Sequence, residues 1–123
     1  MNKVYCLLLL TMLGELKDVG AANVEWPLVA GPELHRLFEQ HELGDGTHYA
    51  YRFNRDGSFT GTELTRPVRG TWRTTPHYLC WSWISPAGAE ECYEVRHLHN
   101  DVRMYRGGRQ TNDGTLRPLA VRH

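Results

Sequence analysis

The chain has 123 residues, and its 14 Lys and Arg balance its 14 Asp and Glu. That length is room for one domain. The balance supplies neither the basic face that nucleic acid requires nor an acidic block to attract a basic partner.

The N-terminus reads as a targeting segment. Met1-Asn2-Lys3 is a short basic start, and Val4–Leu13 is an apolar run of signal-peptide length. Val19-Gly20-Ala21 and Gly20-Ala21-Ala22 both fit a small-residue cleavage site. Residues 1–22 are therefore expected to be a signal peptide and 23–123 a single β-barrel-like domain. An uncleaved anchor is the competing reading, but the apolar run is about half of the ~20 residues a membrane span needs. No membrane span is expected in the mature chain. Cleavage removes Cys6 and both lysines, and leaves Cys80 and Cys92 as an even pair. An even pair in an exported chain is most simply a disulfide.

The predicted elements follow in chain order. Pro32 suits the first turn of a helix, and Glu33 favours its positive end. Leu34, Leu37, Phe38 and Leu43 extend an apolar stripe, so a helix is predicted over 32–43. From Tyr49 the period becomes two: Tyr49, Tyr51 and Phe53 alternate with Ala50 and Arg52. Asn54-Arg55-Asp56-Gly57 is a hairpin turn into a strand over 58–64. Arg66-Pro67 is expected to break that strand. Further strands are expected over 68–74, 78–84, 91–99 and 102–106, with Asn100-Asp101 as a two-residue turn. A weak last strand is expected over 115–119, after Asn112-Asp113-Gly114, and it overlaps the end of a polar, loop-like segment at 107–117. Short strands at regular spacing predict an all-β antiparallel meander. It would close into a lipocalin-like or half-open barrel with one short N-terminal helix.

Strand parity assigns faces. With Cys80 opposite Cys92, Leu79, Trp81 and Trp83 share one side with Tyr93 and Val95. That side is apolar, so it is the expected interior, and the disulfide staples the hairpin from outside. The same parity carries His97 and His99 inward. It sets His99 opposite Val102, His97 opposite Met104 and Val95 opposite Arg106. An apolar bed with a few polar groups describes a binding pocket. The candidate ligand-binding residues are Trp81, Trp83, Tyr93, His97, Met104 and Arg106.

Other chemistry is less well supported. His97 and His99 would lie roughly 7 Å apart on one strand face, and His77 is a conceivable third metal ligand. No acidic or cysteine ligand is fixed by that spacing, so no metal site is assigned. Cys80 and Cys92 do not form a C-x-x-C redox motif. There is no nucleophile motif and no phosphate loop. No motif points to a cofactor, and a catalytic residue cannot be named.

An ordered set of motifs carries a resemblance. It comprises Gly31-Pro32-Glu33-Leu34, Phe53-Asn54-Arg55-Asp56-Gly57-Ser58-Phe59-Thr60-Gly61, Gly70-Thr71-Trp72-Arg73, Leu79-Cys80-Trp81-Ser82-Trp83 and Glu91-Cys92-Tyr93-Glu94-Val95. Together they resemble an uncharacterised family of small exported bacterial proteins, the domain-of-unknown-function family nine-nine-five. The resemblance covers most of residues 31–106. It implies a periplasmic or secreted β-rich domain, and it assigns no activity or catalytic residue.

Three functions stand open at this stage. The first is binding of a small apolar or aromatic ligand in the barrel interior. The second is a protein partner, captured or inhibited through the 107–117 loop. The third is a histidine-based enzyme or metal site.

Overall fold

The computed structural model describes residues 25–85 and 87–120. The expected signal peptide and its cleavage site lie outside the described residues. No helix among those described is long and apolar enough to cross a membrane.

Among the described residues, one helix follows a short first strand and precedes eight further strands. They are β1 (Leu28–Val29), α1 (Pro32–Phe38), β2 (His41–Gly44), β3 (Tyr49–Phe53), β4 (Ser58–Glu63) and β5 (Arg66–Thr74). The chain continues through β6 (Leu79–Ser85), β7 (Glu91–Leu98), β8 (Asp101–Arg106) and β9 (Arg109–Pro118). From β2 to β9 each strand pairs antiparallel with the next, and β9 returns to pair with β2. The result is a closed eight-stranded up-and-down barrel, which leaves those strands no free edge. The half-open alternative is thus set aside. β1 lies beside β7, with Leu28 opposite Arg96 and Val29 opposite Val95. It takes up the length of β7 that β6 does not reach.

Alternation fills the interior. Leu43, Tyr51, Phe53, Phe59, Val68, Trp72, Leu79, Trp81, Tyr93, Val95, Val102, Met104 and Leu116 are all buried. Their rings interlock at centroid distances near 5 Å: Phe53 meets Phe38 at 5.0 Å and Phe59 at 5.0 Å, and Phe59 stacks on Trp81 at 5.1 Å. The middle of the barrel is therefore packed. Glycine is required where the wall curls most tightly. A Cβ on Gly61 would sit 2.0 Å from the Ala50 carbonyl oxygen, and one on Gly70 would sit 2.1 Å from that of Ser82. Gly70 also lies at a register shift between β5 and β6, which bends the strand.

The helix closes one end. Leu34 and Phe38 are fully buried, and His35 stacks on Trp72 at 4.8 Å. The helix is shorter than the predicted span of 32–43. Gln40 takes a left-handed φ of 61°. Its amide donates to Phe53 O at 2.7 Å, and its carbonyl accepts from the Leu119 amide at 2.9 Å. The backbone is thereby captured by the sheet, and Leu43 reaches the core from β2 rather than from a helix.

Three other expectations are corrected. Arg66-Pro67 does not break the sheet: Leu64 and Thr65, at φ 48° and 72°, make the turn, and β5 starts at Arg66. Left-handed values at both central residues suit the right-handed twist of a tight hairpin. The β7–β8 turn is His99-Asn100, with His99 at φ 57°, rather than Asn100-Asp101. Hence His97 pairs with Val102 and Val95 with Met104, while His99 is exposed outside the strands. Finally, residues 109–118 are a full stave of the barrel, paired with β2 and β8, and not a loop. Its polar residues misled the reading because only Leu116 of this strand is buried.

The disulfide joins Cys80 to Cys92 as directly opposed residues of β6 and β7. It faces outward by parity, yet Cys80 is fully buried. Arg73, opposite Cys80 on β5, donates two hydrogen bonds of 2.8 Å to Glu90. The Glu90 carboxylate lies within 4.8 Å of both sulfurs.

Candidate functional site at the open mouth of the barrel

The two ends of the barrel differ. α1 covers the end formed by Phe53, Trp72 and Leu79. The opposite end is reached by Glu63 on β4, Trp83 on β6, Glu91 on β7 and Asn112 on β9. Parity turns each of them inward, with Glu63 opposite Tyr49, Trp83 opposite Gly70, Glu91 opposite Trp81 and Asn112 opposite Met104. A cavity of about 340 Å³ opens between them. Tyr51, Trp81, Trp83 and Tyr93 line it, together with Ala87, Glu63, Glu91 and Asn112. This size is at the small end of small-molecule sites.

The floor is aromatic. Tyr51 meets Trp81 and Trp83 at 5.7 Å each, and Trp81 meets Tyr93 at 4.8 Å. Trp81 and Tyr93 are buried, whereas Trp83 is partly buried and packs against the core. Trp83 is held by the short β6–β7 connection, where the Gly88 amide donates to Trp83 O at 3.4 Å.

The polar groups form two units. Glu91 accepts from Trp81 Nε1 at 3.1 Å and from the Tyr93 hydroxyl at 3.0 Å. Arg106 stands 3.7 Å from its other oxygen and lies over the Tyr93 ring at 5.6 Å. On the other side the Tyr51 hydroxyl donates to Glu63. Burial pushes the Tyr93 phenol up to about 12, aided by its bond to Glu91 and that carboxylate's charge, and opposed by Arg106. Burial raises the Tyr51 phenol further, aided by the hydrogen bond to Glu63 and its charge. Both phenols are therefore neutral donors at physiological pH.

The six candidate residues separate. Trp81, Trp83 and Tyr93 meet at the mouth, and Arg106 stands at its rim. Met104 is fully buried in the packed interior and offers no surface to a ligand. His97 lies at the helix end, where a groove of about 610 Å³ runs between β1 and α1. Leu28, Leu37, Glu33 and His41 share that groove. His77 and His99 are exposed and line neither cavity. Among the described residues, the one cluster of three metal-ligating side chains is Cys80, Glu90 and Cys92, and its sulfurs are spent on the disulfide.

Sequence reasoning missed Tyr51, Glu63, Glu91 and Asn112. Two signals were present. Glu63 keeps the parity of Phe59 and Gly61, and Glu91 keeps that of Tyr93 and Val95. Asn112 had none, because its strand reads as a polar loop. Comparison with protein-family models, with curated proteins and with solved structures finds no match to this chain.

Proposed function

We propose that this protein is an exported bacterial binding module, periplasmic or secreted, that takes one small ligand with apolar or aromatic character at the open mouth of its barrel. Membership of the family its motifs resemble is part of this proposal. One observation carries it. Trp83, a large aromatic side chain, stands only partly buried on a wall of buried rings, at the one barrel end that the helix does not cover. Leaving that surface in water forgoes stabilisation of about 25 cal/mol per Å², which a ligand recovers. The disulfide supports the oxidising compartment.

The reading that places a protein partner on 107–117 has no comparable support. That segment is tied into the barrel on both sides, and only Gly107-Gly108 forms a turn. The histidine-based reading likewise lacks an assembled set of groups.

Benzyl alcohol serves as a neutral aromatic probe. In nuclear magnetic resonance titrations it is expected to shift the amides of Tyr51, Trp83, Ala87 and Asn112 and the Trp83 indole N–H. Trp83→Ala should weaken binding by about fivefold, the scale of one aromatic contact. Shifts centred on Leu28 and Leu37 would move the site to the helix end, and no shifts at either end, with this probe or with a small organic cation, would end the proposal.

A further inference from the structure

We infer that the ligand of the mouth is a small organic cation, of the substituted-ammonium or amidinium class. This inference rests on the mouth being a ligand site, as proposed above.

The charge of the cavity carries the argument. Its lining includes two carboxylates, Glu63 and Glu91, and no basic side chain. Glu91 is already served by Trp81, Tyr93 and Arg106. Glu63 is different. Its partner is the neutral Tyr51 hydroxyl, and no Arg or His among the described residues forms an ion pair with it. Arg66, its cross-strand neighbour on β5, is exposed and makes no such pair. Tyr49, its neighbour on β3, turns its hydroxyl to the Asp113 carbonyl at 2.6 Å. Arg106 stands beside Glu91, and Glu63 is left without an ion-pair partner among the described residues.

Each ligand class meets this charge differently. A neutral ligand filling the mouth would strip water from Glu63 and give nothing in return, which is costly. An anion would add repulsion to that cost. A cation replaces the lost water with a direct charge contact. Its other sides meet the lining aromatic rings, of which Trp83 offers the most accessible surface, and an aromatic face carries negative quadrupole charge that attracts a cation. Glu63, without a charged partner, and the accessible Trp83 ring both favour positive charge.

Three probes of matched shape separate the possibilities: choline, its uncharged isostere 3,3-dimethylbutan-1-ol, and the anion 3,3-dimethylbutanoate. The full disulfide-bonded protein is titrated with each, with the Trp83 indole resonance as readout. Choline is expected to bind about tenfold tighter than the alcohol, and the anion to bind weakest. Glu63→Gln keeps an acceptor for Tyr51 while removing the charge. It should weaken choline about fivefold or more, while the alcohol, which no longer strips water from a charge, binds no more weakly than before. An alcohol that binds the wild type as tightly as choline would overturn the inference while leaving the mouth a ligand site. An equal loss for both probes in Glu63→Gln would overturn it in the same way. Should none of the three move the mouth resonances, the site reading falls with it. The wild-type ratio alone decides the matter if Glu63→Gln fails to fold.

Discussion

Replacing Phe53 by alanine is expected to cost about 3–5 kcal/mol, the range for deleting a large buried aromatic side chain. Phe53 is fully buried, and four rings surround it: Phe38 at 5.0 Å, Phe59 at 5.0 Å, Trp72 at 5.5 Å and Trp81 at 6.2 Å. It links the helix plug to the barrel floor. The void left behind could not collapse easily, because its walls are strands tied on both sides. A small domain holds about 5–15 kcal/mol in total, so the loss would be a large share. Urea unfolding reads it as a fall in midpoint at constant slope. A loss below about 1 kcal/mol, the scale of an ordinary surface change, would mean that the centre of the barrel is not packed as described.

The second large effect is that of the disulfide. Cys80 and Cys92 are 12 residues apart in sequence. Closing a loop of that size removes about 3 kcal/mol of freedom from the unfolded chain. The Cys80→Ala/Cys92→Ala double variant is expected to lose that amount, and reductant should bring the wild type down towards it. The double variant avoids leaving a lone buried thiol. Because the bond lies on the outer face, away from the mouth, probe affinity at Trp83 should persist in the variant where it remains folded. Identical urea midpoints for oxidised and reduced protein would contradict the structural role given to this bond.

Much of the fold is legible in the sequence because alternation is strong where one face of a strand is buried. Tyr49-Tyr51-Phe53, Leu79-Trp81-Trp83 and Tyr93-Val95 declare both their strands and their faces. The pairing of Cys80 with Cys92 fixes the β6–β7 register, and the structure keeps it. Legibility fails where local chemistry is ambiguous. His41–Gly44 continues a helical stripe through Leu43, and only the tertiary hydrogen bonds of Gln40 end the helix. His99-Asn100 and Asn100-Asp101 are equally good turns on paper, and the choice moves the partner of His97 by two residues, from Met104 to Val102. β9 is almost wholly polar, so its place in the barrel is set by closure and by its partners β2 and β8. The site inherits these limits. Its aromatic floor is visible in the hairpin, but the association of Glu63, Glu91 and Asn112 requires the closed barrel. Met104 and His97 share the inner face with that floor, yet one lies in packed interior and the other at the far end.

The central claim is that the open mouth holds a small molecule. Native mass spectrometry of the protein, purified without denaturant from its own cells, tests this most directly. The account predicts a wild-type mass above that of the bare chain by one small organic molecule. It also predicts that the adduct is lost in Trp83→Ala. A bare wild-type mass under the gentlest ionisation, or an adduct that Trp83→Ala retains in full, would contradict it.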